Sequence, residues 1–397
     1  MLIQIIIALF IGIFFGTITG LFPGIHINLV GAFLVSLSAS LLYKVDVIYL
    51  LVFISAMAIA HTFIDFIPSI FLGCPDTDTG LSVLPGHEML KRGEGHQAIM
   101  RTAYGGLISI FLLILLSIPL SIILPKIYPS LQKAIPFILI AVCMIMIFTE
   151  RKKFSAFIVL SLTGILGLCV LNLDLKEPLL PLLSGLFGSS MLLISINQNT
   201  KIPKQNKEFK RLSYKKFIRP IYGGLLASPF CGFLPGLGGG QAAIIGNQIS
   251  RVNEEDFLIL LGIVNVLVMG FSFLSLYSIA RVRTGAAAAI QSLAGNLNQN
   301  IFILILCVCV ISGILSFFLV RTISINFLKV INKINYKKLS IGIITFLSFL
   351  ILLISGVIGL IIFGISTATG IYCIHLNVRK TQMMGCLLIP TIILYLI

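Results

Sequence analysis

Apolar residues run along this chain in stretches that are hydrophobic on every side, divided by short polar interruptions. The stretches cover approximately 1–20, 24–43, 47–72, 98–124, 134–149, 154–172, 178–197, 218–233, 235–250, 257–280, 300–320, 339–354, 356–375 and 382–397. A helix needs roughly 20 residues to cross a hydrocarbon core of about 30 Å. The longer stretches therefore predict transmembrane helices, and the shorter ones predict re-entrant or broken segments, whose bare backbone must be buried in protein or line a cavity. The pattern predicts an all-α polytopic membrane protein of about 10 to 12 transmembrane helices. A β-barrel would alternate polar and apolar positions in segments of about ten residues, and LISIFLLILLSIPLSIILP at 107–125 shows no such alternation.

Two interruptions are unusual. Residues 232–241 read GFLPGLGGGQ and residues 20–28 read GLFPGIHIN. A shift of 212 positions lays Gly20, Pro23 and Gly24 on Gly232, Pro235 and Gly236, and Gly12 on Gly224. A second echo follows in order, Asp78-Thr79-Gly80 answering Arg283-Thr284-Gly285, and a third pairs KKFSAFIVLSLTGILG at 152–167 with KKLSIGIITFLSFLIL at 337–352. These landmarks predict two related transmembrane repeats, 1–197 and 218–397, joined by a linker at 198–217. Repeated halves with discontinuous helices are the build of secondary transporters, whose substrate lies near the bilayer midplane. An inverted arrangement requires an odd number of crossings per half.

Composition and charge then narrow the class. A 397-residue chain that is 58% hydrophobic and 10% charged, with a mean hydropathy of +1.11, is not an ordinary soluble protein. Its localisation is read as a multi-pass span of the cell (plasma) membrane. The net charge of +15 is concentrated in the linker, where Lys201, Lys204, Lys207, Lys210, Arg211, Lys215, Lys216 and Arg219 are opposed only by Glu208. By the positive-inside rule the linker is cytoplasmic, which accounts for the charge without a nucleic-acid partner. The N-terminus, MLIQIIIALFIGIFFG, has no basic leader and reads as a retained span. The eight cysteines form no CxxC pair and predict neither a disulfide framework nor a zinc site.

The breaks carry the first candidate chemistry. A helix starting after Pro235-Gly236 would present unpaired N–H groups, and Gly238, Gly239 and Gly240 would leave room for a ligand beside them. Such a terminus, with its positive dipole end, suits an anion. Gln241 and Asn247 would add amide donors, while Pro23, Gly24, His26 and Asn28 make a side-chain-rich counterpart. Close helix packing is the simpler use of membrane glycines, but the proline and the repetition favour a substrate site.

Further candidates are His61 and Asp65, four apart on one helical face beside Thr62. In an apolar segment a charged group is costly, so the pair predicts proton or cation coupling, or else a structural hydrogen bond. Residues 71–99 offer Asp76 and Asp78 as cation ligands and Thr79 and Gly80 as substrate contacts; Glu88–Gln97 is expected to be a solvated loop. Arg283, Thr284 and Gly285, with Arg281 nearby, would suit a carboxylate or phosphate, or the arginines are simple cytoplasmic anchors; no acidic residue follows Asp256.

GLFPG, LGCPDTDTGLSVLPGHEMLKRGEGHQA followed by AYGGLIS, GLFGSS at 185–190 and YGG…GFLPGLGGG at 222–240 together resemble the TctA-like permeases of the tripartite tricarboxylate transporter family, over nearly the whole chain. That resemblance implies inward movement of a small di- or tricarboxylate, driven by an ion gradient, with a small membrane subunit and an extracytoplasmic binding protein as partners. It implies no enzyme activity and no cofactor beyond a coupling H+ or Na+; membrane lipid surrounds the chain, and a homodimer is compatible with it. PGLGGGQAAIIG also resembles the breaks of polyprenyl-phosphate translocases, so flipping of a lipid-carrier phosphate is the alternative.

Overall fold

The computed structural model describes residues 2–22, 45–73, 79–175, 177–197, 203–209, 212–233, 239–331 and 336–396. All regular structure among them is helical. Seven helical stretches there are long and apolar enough to cross a membrane: Leu2–Leu21, Val47–Leu72, Gly95–Ser130, Lys153–Leu171, Glu254–Ile279, Gln299–Lys329 and Ser340–His375. Shorter apolar helices cover Lys133–Phe148, Leu179–Ile194, Gly285–Ala294 and Thr381–Leu396. The chain is a multi-pass helical membrane protein. The apolar run at 24–43 lies wholly outside the described residues.

We number the helices α1 (Leu2–Leu21), α2 (Val47–Ile64), α3 (Phe66–Leu72), α4 (Val83–Lys91), α5 (Gly95–Phe148), α6 (Lys153–Leu171), α7 (Leu179–Leu183), α8 (Ser190–Asn197), α9 (Lys215–Phe233), α10 (Gly239–Ser250), α11 (Glu254–Ile279), α12 (Gly285–Ala294), α13 (Gln299–Ile331), α14 (Tyr336–His375) and α15 (Gly385–Leu396). Two of them join runs that the sequence separates. α5 carries Pro119, Pro125, Pro129 and Pro136 within its 54 residues, a rise of about 80 Å, because membrane helices tolerate proline when neighbours satisfy the freed carbonyls. α14 absorbs the gap near residue 355 at Gly356, whose φ of 68° and ψ of −164° suit glycine alone.

α11 is the centre. Its most apolar window is wholly buried, and α2, α4, α5, α9, α10 and α13 all pack on it. Between α5 and α11 the backbones touch: a methyl group at Gly105 would collide with the Ile259 carbonyl, and one at Gly262 with the Thr102 carbonyl. α1 lies on α2 in the same way through Gly12, Gly16 and Gly20, spaced four apart, which meet Phe53, Met57 and Ile64. Without a hydrophobic drive between helices in lipid, such small-residue seams supply the packing. The opposite face of α1, with Ile3, Ile7, Phe10 and Phe14, is exposed, as a lipid-facing surface should be.

The stretch 88–97 departs from expectation. It is not a solvated loop, for Met89, Leu90, His96 and Gln97 are all buried. The reason is the linker. Gln205 accepts from the Gly95 N–H at 2.9 Å and donates to the Leu90 carbonyl at 2.8 Å, while the Asn206 N–H donates to the Gly93 carbonyl at 2.9 Å. These bonds lay residues 203–209 across the α4–α5 turn.

Candidate functional site

The polar residues of α2 meet partners from three other elements. His61, 4% exposed, has its Nδ1 3.0 Å from Thr19 Oγ1 on α1. Thr19 precedes the end of α1 by two residues, so the C-terminal end of α1 lies beside His61. Gly20 makes this approach feasible, since a Cβ there would stand 3.2 Å from the His61 carbonyl and 3.0 Å from Ile64 Cβ. Asp65, 5% exposed, sits where α2 turns into α3, and its Oδ2 accepts from Asn265 Nδ2 of α11 at 3.1 Å. The same amide donates to the Thr62 carbonyl at 3.1 Å. Asp65 and Asn265 thus join the two halves of the chain through a buried bond.

The Thr79-Gly80 and Thr284-Gly285 turns prove alike in their contacts. Thr79 Oγ1 is 2.6 Å from Ser69 Oγ on α3, and Thr284 Oγ1 is 2.7 Å from Ser272 Oγ on α11. Each threonine is therefore tied back to the long helix that precedes it. Thr79 also accepts from Ser82, through its carbonyl, at 2.7 Å, and Thr284 caps α12 by accepting from the Ala287 N–H at 3.3 Å. The halves cross here, because the Gly80–Ser82 turn packs on α11 and α12 packs on α2. A π-helical turn at Ser184–Ser189 lies against the Gly80–Ser82 turn.

Arg283 lies against the end of α9. Its Nε and Nη2 donate to the Cys231 carbonyl at 3.1 and 2.6 Å, near the C-terminal end of α9, where a cation offsets the exposed carbonyls and the negative dipole end. Gly239 and Gly240 open α10, and Gly239, Gly240 and Gln241 are buried. Asn247, further along α10, is half-buried, and its Oδ1 is sequestered without a hydrogen-bond partner. Pro23, Gly24, His26, Asn28, Asp76, Asp78, Pro235, Gly236 and Gly238 lie outside the described residues.

Among the described residues the arrangement brings together a buried carboxylate, an amide and a histidine from α2 and α11. A profile of the Tripartite tricarboxylate transporter TctA family matches residues 6–385. The chain belongs to that family. A TctA-family protein is a membrane permease subunit, and the family generally works in tripartite transporters with other subunits. An uncharacterized protein of Methanocaldococcus jannaschii is 33% identical over 401 aligned positions, covering 98% of each chain. No solved structure matches. The polyprenyl-phosphate alternative receives no support from these comparisons.

Residue patterns did not point to Asn265, Ser69 or Ser272. Asn265 had a usable signal, a lone amide within the apolar run 257–280, the same signal that drew attention to His61 and Asp65. The serines had none, since serine is common in membrane helices and only contact distinguishes these two.

Proposed function

We propose that this TctA-family chain is an ion-coupled permease for a small organic anion of the di- or tricarboxylate class. The substrate is held between the paired breaks, by Pro23, Gly24, His26 and Asn28 with Thr79 and Gly80 on one side, and by Pro235, Gly236, Gly238, Gly239, Gly240, Gln241 and Asn247 with Arg283, Thr284 and Gly285 on the other. The coupling proton or sodium ion is served by His61 and Asp65, with Asp76 and Asp78 nearby in sequence. The two halves descend from one duplicated unit, and a small membrane subunit and an extracytoplasmic binding protein complete the transporter.

The observation that carries this reading is the Asp65–Asn265 hydrogen bond. A carboxylate that is nearly inaccessible inside an apolar helix is costly unless it is neutralised by a proton or a cation. Because its partner belongs to the other half, neutralising Asp65 would alter a contact between halves, which is the link that coupling needs.

Binding of radiolabelled citrate and succinate to the purified chain, with and without sodium and across pH, tests the proposal. Citrate-class binding should strengthen with sodium or with falling pH. Asp65→Asn should keep anion binding and lose that ion dependence, and Gly239→Leu should lose anion binding while the protein still inserts and purifies as a folded species. Absence of anion binding by the wild type, or an unchanged ion response in Asp65→Asn, would overturn it.

A further inference from the structure

A concavity of about 460 Å³, lined by none of the candidate substrate or ion residues, lies beneath the basic linker. One wall is the α5 stripe His96, Met100 and Tyr104, which recur every four residues and so share a face. Phe317 and Arg321 of α13 form the second wall by the same spacing, and Lys207, Glu208 and Phe209 of the linker close it. The linker touches here what it also fastens elsewhere, since Gln205 anchors it to the α4–α5 turn.

The lining is divided by chemistry. Tyr104 stacks on Phe209 with centroids 5.1 Å apart and meets the edge of Phe317 at 5.0 Å, so one end is aromatic. The other end carries Lys207 and Arg321, both exposed at the rim, and among the described residues neither takes part in an ion pair. His96 is 1% exposed, and its Nδ1 is engaged with Ser324 Oγ at 2.9 Å. Nε2 is the ring nitrogen left for the cavity. Glu208 offsets one of the two rim cations, leaving a net positive mouth above an aromatic floor.

We propose that this cavity is a binding site, on the cytoplasmic side, for an organic anion with a flat aromatic body and a phosphate or carboxylate head. The volume falls in the range of small-molecule sites. Arg321 can hold the head through two N–H groups, His96 Nε2 can add a bond, and the ring packs against the stacked Tyr104–Phe209 pair. The occupant would bridge α5, α13 and the linker, and so hold the linker against both halves. The site shares no residue with the proposed substrate site and does not depend on the transport reading.

Equilibrium dialysis of the full chain in detergent, with 1-naphthyl phosphate as probe and inorganic phosphate and 1-naphthol as its two halves, tests this. The naphthyl phosphate should bind at least about tenfold more tightly than either half, and Arg321→Gln should weaken it by about tenfold, as loss of a charged hydrogen bond predicts. Glu208→Gln should tighten binding, and the probe should slow tryptic cleavage after Lys204 and Lys207. Arg321 and Glu208 are exposed, so both variants should keep the fold, which size-exclusion chromatography checks. Equal affinity in both variants and wild type, or 1-naphthol binding as well as its phosphate, would overturn the proposal.

Discussion

Asn265 is 4% exposed in a helix that is apolar around it, and its amide donates both to Asp65 and to the Thr62 carbonyl. Replacing it by alanine removes a buried donor from two acceptors. Asn265→Ala should cost about 1–3 kcal/mol of stability, read as a lower unfolding midpoint in detergent. A sharper contrast lies at the start of α11. The Arg101 guanidinium, its side chain 3% exposed, binds Asp256 and Glu255, each at 2.6 Å, whereas Arg92, 53% exposed, reaches only Glu255 at 2.9 Å. Arg101→Met strands the buried Asp256, while Glu255 keeps Arg92, and should cost about 3–5 kcal/mol. Arg92→Met breaks a screened surface pair and should cost about 0–1 kcal/mol. Comparable losses in the two variants would refute the role of burial. The charges of residues 92, 101, 255 and 256 are plain in the sequence, but nothing there says which arginine is buried, because burial depends on what folds over it.

Among the helices, glycine decides where close approach occurs. Gly12, Gly16 and Gly20 could be read in advance as a face on which a partner lies close, but the partner α2, and the approach of Gly105 to Ile259 and of Gly262 to Thr102, required the assembled bundle. Gly262→Leu should prevent α5 and α11 from docking and abolish recovery of folded protein, while Gly342→Ala, with open space around it, should be tolerated. Gly356→Ala tests conformation and not space, for nothing lies within 4 Å of it and only its φ and ψ are demanding. We expect it to lower stability by about 1–3 kcal/mol, again measured by thermal unfolding. The gap between the 339–354 and 356–375 runs was legible, whereas the helix carried across it was not, since glycine is compatible with a break and with a kink.

At the scale of the whole chain, the halves are interleaved and not set side by side. The first half contributes α5, which grips α11 of the second at backbone distance, and the second contributes α12, which leans on α2 of the first. The α5–α11 pair is therefore expected to move as one body in transport. A flexible bis-maleimide linking Arg92→Cys to Glu255→Cys, in a background freed of native cysteines, should leave uptake by the assembled transporter largely unchanged. Loss of uptake on crosslinking would show that this interface opens.

Hydrophobic runs of spanning length, basic residues gathered at 201–219 and the paired Pro-Gly interruptions follow from local chemistry, so a multi-pass helical protein was determined from the sequence alone, with a cytoplasmic linker and paired breaks as expectations. Partners across the fold do not follow from local chemistry. Only the tertiary structure could decide that Asp65 meets Asn265, that Thr79 and Thr284 are each tied to a serine on the preceding long helix, and that the linker roofs an aromatic cavity. Each of these joins residues that are distant in sequence, or whose types are too common to stand out, and their meaning comes from the neighbour that packing brings within hydrogen-bonding reach.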